Sequence, residues 1–370
     1  MDDFSSEGAV VSTTDQEPSI GESTDLGPAT KDARPFQRKQ QYWWSRLLLV
    51  GLRVLSLILV VMTIGSLAAR QLWLAELLAS LRLQQVLGLF VAILLSIALR
   101  QWRHAVLLVV CVLVHATWIV PQIGNPIATK RQANSTDHTI KVVTINVLTR
   151  NMQHEQILAQ IREFDADIVA IVELGSQLAS TVGDELVDQY PHQILLPQDA
   201  GNFGIGVLCK SKPNGHTAIQ FSHSLNSIEV DFERFKFIAT HTLPPMGSGG
   251  FRVRNEHLAK LAEHVRSEVK RSKPMIVAGD FNLTPWSPIF SDFATQSGLQ
   301  RAFIGLGVQP TWYARRDLFP LGLVLDHVWV SDDLSCDCYE VAEPMGSDHR
   351  AVVVTLSPSG ETAGASSDSH

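Results

Sequence analysis

Three long apolar runs follow one another near the start of the chain, at 47–69, 83–99 and 105–120. Hydrocarbon offers no water to backbone N–H and C=O groups, so each run has to make its hydrogen bonds internally, as a helix. The first contains Arg53 as its only charged residue and is long enough to cross a core of roughly 30 Å at about 1.5 Å per residue. Arg53 stands near one end, where its stem lets the guanidinium reach the interface. The other two runs are at the short limit for a span and are joined by the polar stretch 100–104, the pattern of a helical hairpin. Neither shows the polar face of a helix at the surface of a soluble domain. The first run begins far from Met1 and two more follow it, so this is not a cleaved signal peptide. The expectation is a multi-pass integral membrane protein with about three transmembrane helices, touching lipid through this N-terminal part.

Basic residues set the expected orientation. Arg34, Arg38, Lys39 and Arg46 precede the first span and Arg100 and Arg103 occupy the second loop, which puts both on the cytoplasmic side and the rest of the chain outside. Arg70, Arg82, Lys130 and Arg131 oppose that count, and a re-entrant hairpin is the competing topology. Residues 1–45 are rich in Ser, Thr, Asp, Glu, Gly and Pro and read as a disordered tail, as does 358–370. The expected division is a membrane domain at 46–120, a linker at 121–138 and a soluble domain at 139–357.

From His138 onward there are 18 Lys and Arg against 27 Asp and Glu, a net charge of −9. A protein that holds a long polyanion without sequence preference needs a basic face, so the balance argues against a processive DNA binder. Four cysteines are too few for a disulfide scaffold, and the Cys336–Cys338 pair has no second pair at metal-site spacing. Apolar strand-like runs at 141–147, 168–173, 203–209, 235–241, 275–279, 324–330 and 351–356 alternate with helical spacing at 155–164 and 255–269, the pattern of a layered α/β domain.

The chemistry sits at the ends of those strands, where loops build sites. Asn146, Glu173, His241, Asp280, Asn282, Asp326, Asp348 and His349 all stand beside apolar runs. Carboxylates and carboxamides suit a hard divalent ion such as Mg²⁺ or Mn²⁺, and a phosphodiester needs both charge neutralisation and an activated nucleophile.

Five ordered segments carry a resemblance. The run 143–147 ends on Asn146, though Ile145 stands where a Trp is common; 167–174 delivers Glu173; 239–244 holds His241; 277–285 contains Gly279-Asp280-Phe281-Asn282; and Asp326 is followed later by Ser347-Asp348-His349. Together they resemble the endonuclease/exonuclease/phosphatase family, the deoxyribonuclease-I-like hydrolases. The resemblance implies a four-layer α/β sandwich, two packed mixed sheets flanked by helices. It further implies that Asn146, Glu173 and Asp348 hold the metal and that Asp280 and Asn282 handle the attacking water. His349 oriented by Asp326 would stabilise the transition state, with His241 on the leaving group or phosphate and Arg252 or Arg254 nearby. Nucleic acid is the first expectation for the phosphodiester, and a lipid head group, as for a sphingomyelinase, is the rival. The segment 310–315 departs from the inositol phosphatase pattern. A different class of reading, a catalytically inactive membrane scaffold, has against it that every expected side chain is present. The loop 243–250 reads either as a flexible approach to substrate or as an ordinary flexible turn, and no protein partner is implied.

Overall fold

The computed structural model describes residues 33–123, 139–222, 225–269, 273–315 and 321–359, with side chains from Trp43 onward. Residues 1–32 of the expected tail, most of the expected linker and most of the last residues lie outside these segments, whereas 33–45, read as tail, belong to the first helix, which continues the apolar run toward the N-terminus. Helix α1 is Ala33–Ser66, α2 Trp73–Ser80, α3 Arg82–Ala98 and α4 Trp102–Ile119. The stretches Trp43–Ser66 and Trp102–Gln122 are long and apolar enough to cross a membrane, and α2 with α3, bent by 63°, passes the same test as a pair. Residues up to Gly51 form a unit of their own. From Leu52 on, Leu52 and Leu59 of α1 pack with Leu89 and Ala92 of α3 and with Leu108 and Cys111 of α4. Helix α2 lies in what reads from the sequence as a loop. At eight residues it is too short to be stable alone and exists because of what it packs against.

The remainder is an α/β sandwich. The first sheet runs in the order β11-β12-β1-β2-β4-β3, where β1 is Ile140–Asn146, β2 Ile168–Val172, β3 His192–Leu196, β4 Ile205–Cys209, β11 Leu334–Val341 and β12 Val352–Pro358. The second runs β5-β6-β7-β8-β10-β9, with β5 Gly215–Ser222, β6 Leu225–Asp231, β7 Lys236–His241, β8 Met275–Asp280, β9 Gln300–Arg301 and β10 Asp326–Val330. Each sheet is antiparallel apart from one central parallel pair, β1 with β2 and β7 with β8. The central strands are buried on both faces, which explains why they read as continuous apolar runs. Val142, Ala170 and Val207 of one sheet meet Val230, Phe237 and Ala278 of the other in the core. Helices α5 (His154–Phe164) and α6 (Ser176–Glu185) cover the first sheet, and α7 (Gly247–Val269) with α8 (Pro288–Ser297) the second. The expected architecture is the observed one.

Several elements differ from the sequence reading. Strands β3, β5, β6 and β11 carry mixed or exposed residues, so periodicity conceals them. Helix α7 begins at Gly247, inside the segment read as a flexible loop. Phe251 is buried against the second sheet, and a Cβ at Gly250 would crowd the Pro244 carbonyl, so packing draws these glycines into the helix.

Candidate active site

Parallel pairing places the two key strand ends side by side. In the first sheet Asn146 stands opposite Val172, the residue before Glu173; in the second His241 stands opposite Asp280. Antiparallel β10 then brings Asp326 opposite Asp280. Just past the ends of β2 and β8, Glu173 and Asn282 adopt positive φ, 60° and 46°, which breaks the strand conformation there.

The eight expected residues converge. Asn146 Nδ2 donates to Glu173 Oε1 at 3.0 Å and to Asp280 Oδ2 at 3.3 Å, joining the two sheets through one carboxamide. Its own Oδ1 accepts the Leu148 N–H. His349 Nδ1 lies 2.9 Å from Asp326 Oδ2, and its Nε2 points to Asp280 Oδ2 at 3.7 Å. His241 Nε2 approaches the same Asp280 oxygen at 3.6 Å, and the ring packs beside Phe203. Asn282 donates its backbone N–H to Asp280 Oδ1 and its side-chain Nδ2 to the Thr242 carbonyl. Asn146, His241, Asp280, Asp326 and His349 are buried; Glu173, Asn282 and Asp348 are half-buried and form the open side.

Burial pushes the Glu173 carboxyl up, an effect that the Asn146 bond and the His349 charge oppose. Burial and then Asp326 raise Asp280. Burial alone would lower His349, but the carboxylates of Asp326 and Asp280 outweigh it and hold the imidazole protonated. His241 goes the other way: burial, then the charges of His349 and His257, lower it to about 3, so this ring is neutral at physiological pH.

Four carboxyl groups face one imidazolium, and a divalent cation would offset the cost of ionising those that burial holds up. Asp326 Oδ1 and Asp348 Oδ1 are buried with no hydrogen-bond partner, which leaves anionic oxygens free to ligate. Donor atoms of Asp280, Asp326 and His349 lie within 4.8 Å of one another, a cluster different from the expected Asn146, Glu173 and Asp348. The Asp326–His349 hydrogen bond already satisfies much of that cluster, whereas Glu173 and Asp348 keep unused lone pairs on the open side. The residues present fit a hard divalent ion.

Supporting residues were missed in the sequence. Trp312 Nε1 donates to Asp348 Oδ2 at 3.1 Å. The Thr311 hydroxyl accepts the backbone N–H groups of Leu325 and Asp326. Ser347 donates to the Asn146 carbonyl and accepts the His349 N–H. Each acts through backbone or a second residue, so no spacing rule points to it. Of the two nearby arginines, Arg254 is the one at the site, donating to the Asn282 carbonyl at 2.9 Å.

Residues 143–349 match the family model described as Endonuclease/Exonuclease/phosphatase family. The chain belongs to that family. Among solved structures, a Neisseria 3′ phosphatase, NExo, bound to a product DNA hairpin is similar with 19% identity and a TM-score of 0.51, covering 58% of this chain and 98% of its own. A humanized D. rerio TDP2 aligns with 15% identity and a TM-score of 0.47 over 59% of this chain and 99% of its own. D. rerio TDP2 with a single-strand DNA product aligns with 14% identity and a TM-score of 0.49 over 60% and 100%. No curated protein sequence matches. The family's members are hydrolases of phosphoesters, and the likeness to NExo shows the fold.

Proposed function

We propose that this chain is a membrane-anchored, divalent-metal-dependent phosphodiesterase. The observation that carries the reading is the convergence of Asn146, Glu173, His241, Asp280, Asn282, Asp326, Asp348 and His349 from both sheets into one buried, acidic, half-open site. Glu173, Asn146 and Asp348 would hold Mg²⁺ or Mn²⁺. Such an ion supplies charge neutralisation of a phosphoryl oxygen and of the leaving oxygen.

The chain's own residues account for the rest. Asp280, its second oxygen fixed by the Asn282 N–H, orients the attacking water and takes its proton. Asn282 lies on the open side within reach of a phosphoryl oxygen. His349, charged and anchored on Asp326, faces the negative charge that develops at phosphorus. A neutral His241 is a poor proton donor, so its part is to clamp phosphate by an N–H bond.

Nucleic acid is the first substrate class, supported by the DNA product in the Neisseria phosphatase. A lipid head group is the second, favoured by the docking of α2 and α3 on loops of the catalytic end and by Met152 and Met246, about 70% and 69% exposed after β1 and β7. The spans also have a consistent order. Ser66 at the end of α1 touches Arg82, and Ile119 at the end of α4 touches Trp286, so these ends lie at the catalytic domain and the 99–102 turn lies away from it. With Arg100 and Arg103 on the cytoplasmic side, the catalytic domain is extracytoplasmic.

The test is hydrolysis by the full chain in lipid nanodiscs, against single-stranded and duplex DNA, RNA, sphingomyelin and phosphoinositides, with Mg²⁺, Mn²⁺ or chelator. Asp280→Ala and His349→Ala should each lower turnover by about a thousandfold or more with the fold intact. Full activity in both variants, or activity in chelator, would sink the reading; release of a lipid head group alone would replace the first substrate class by the second.

A further inference from the structure

The loop after β8 carries Asn282 and is held from outside the family-matched residues. Arg254 on α7 is fully buried and donates through Nη1 to the Asn282 carbonyl at 2.9 Å. A buried guanidinium requires an anion. Among the described residues the carboxylate that pairs with it is Glu76 of α2, also fully buried, with Arg254 Nη2 at 3.2 Å from Oε1. Ser287 at the far end of the same loop donates to Glu76, with its Oγ 2.9 and 3.0 Å from the two carboxylate oxygens, while accepting the Ile289 N–H as the N-cap of α8. Between them the Trp286 indole donates to the Ser80 carbonyl and Arg82 donates to the Trp286 carbonyl. The turn 282–287 is thus bound to the segment 76–82 directly at its far end and, at Asn282, through Arg254.

Asn282 needs such support. Its φ of 46° is unfavourable for a residue with a Cβ, and its backbone N–H is the group that fixes Asp280. We propose that Glu76 is a positioning residue for the phosphoester site: it fixes Arg254, which holds the Asn282 carbonyl and so sets the Asp280–Asn282 turn. The short helix α2 is then a working part of the site rather than a tether. The inference rests on the function proposed above, and its test separates the two.

The experiment uses the full chain in nanodiscs, with Glu76→Gln, Arg254→Gln, the double variant, and Arg70→Gln as a control that removes a half-exposed ion pair to Asp292. Two quantities are read: hydrogen exchange of the 281–287 peptide, and kcat and KM for bis(p-nitrophenyl) phosphate with Mn²⁺. In Glu76→Gln, exchange at 281–287 should rise about tenfold while 236–241 stays protected, and kcat should fall about tenfold with KM within about twofold. Because Glu76 acts through Arg254, the double variant should be no worse than the poorer single variant. Arg70→Gln should match wild type.

Unchanged exchange at 281–287 in Glu76→Gln, losses that multiply in the double variant, or an equal effect of Arg70→Gln would overturn the proposal. If Glu76→Gln fails to fold, the double variant decides, since it removes the buried charge of Arg254 together with its partner: folded with reduced kcat supports the proposal and full kcat overturns it. If wild type cleaves no phosphoester, the function falls, and the exchange comparison still decides the role of Glu76.

Discussion

At the scale of single residues, the site works through partners that hold the reactive groups in one geometry. Trp312 is the plainest case, because its N–H is the hydrogen bond on Asp348 Oδ2, while Oδ1 has none. Trp312→Phe keeps the ring and removes that bond, and outer partners of metal ligands are worth about ten- to a hundredfold in affinity. Titration with Mn²⁺ should show a loss of about tenfold; an unchanged curve would mean that Asp348 needs no such orientation. His257 allows a prediction about pH. Its nitrogens lie 2.9 Å from the Thr240 hydroxyl and 3.2 Å from that of Ser222, and burial lowers its pKa to about 4. The folded state therefore binds fewer protons than the unfolded one below about pH 6.5, so stability falls with pH from there to about 4, by roughly 3 kcal/mol in all from this residue. His327, also lowered by burial, acts in the same direction. Thermal unfolding between pH 7 and 5 should be less pH-sensitive in His257→Gln than in wild type; equal slopes would remove His257 from the account.

At the scale of elements, the parallel pairing of β7 with β8 aligns His241 with Asp280, and Gly279 permits it. A Cβ there would collide with the Thr240 carbonyl on the neighbouring strand, at a φ of 153°. Gly279→Ala should cost about 3 kcal/mol or more, because the strands must separate or the register shift. A melting temperature equal to wild type would refute this. Helix α8 illustrates a local rule: Ser287 caps it, Pro288 opens it and Gly298 closes it with a φ of 75°, all signals visible in the residues themselves. Strand β5 is the opposite case. It lies at the sheet edge with mostly exposed side chains, so neither face is uniformly apolar and no pattern marks it.

At the scale of the whole molecule, the N-terminal helices and the sandwich share buried surface. Trp286 and Val324 pack with Ile119, and Arg254 pairs with Glu76. A piece comprising 139–357 alone would expose Trp286 and leave Arg254 without its anion. It should melt lower than the full chain and turn over about tenfold more slowly, the cost expected when one partner of a buried pair is removed. Equal turnover by the two forms in a side-by-side assay would reduce the helices to a tether.

The residues alone determined the membrane-length apolar runs, the layered α/β class and the eight polar side chains that converge at the strand ends. Each is written in contiguous sequence: an apolar run sets its own environment, and a strand with its terminal polar residue occupies only a few positions, as in Gly279-Asp280-Phe281-Asn282. Tertiary structure alone decided which of Arg252 and Arg254 serves the site, that Trp312 orients Asp348, and that 73–80 is a docked helix. Those contacts join positions far apart in the chain, 36 residues for Trp312 with Asp348 and 178 for Arg254 with Glu76. The same holds for the protonation pattern. His241 and His349 are alike in sequence, and only their burial and their neighbours leave one neutral and the other charged.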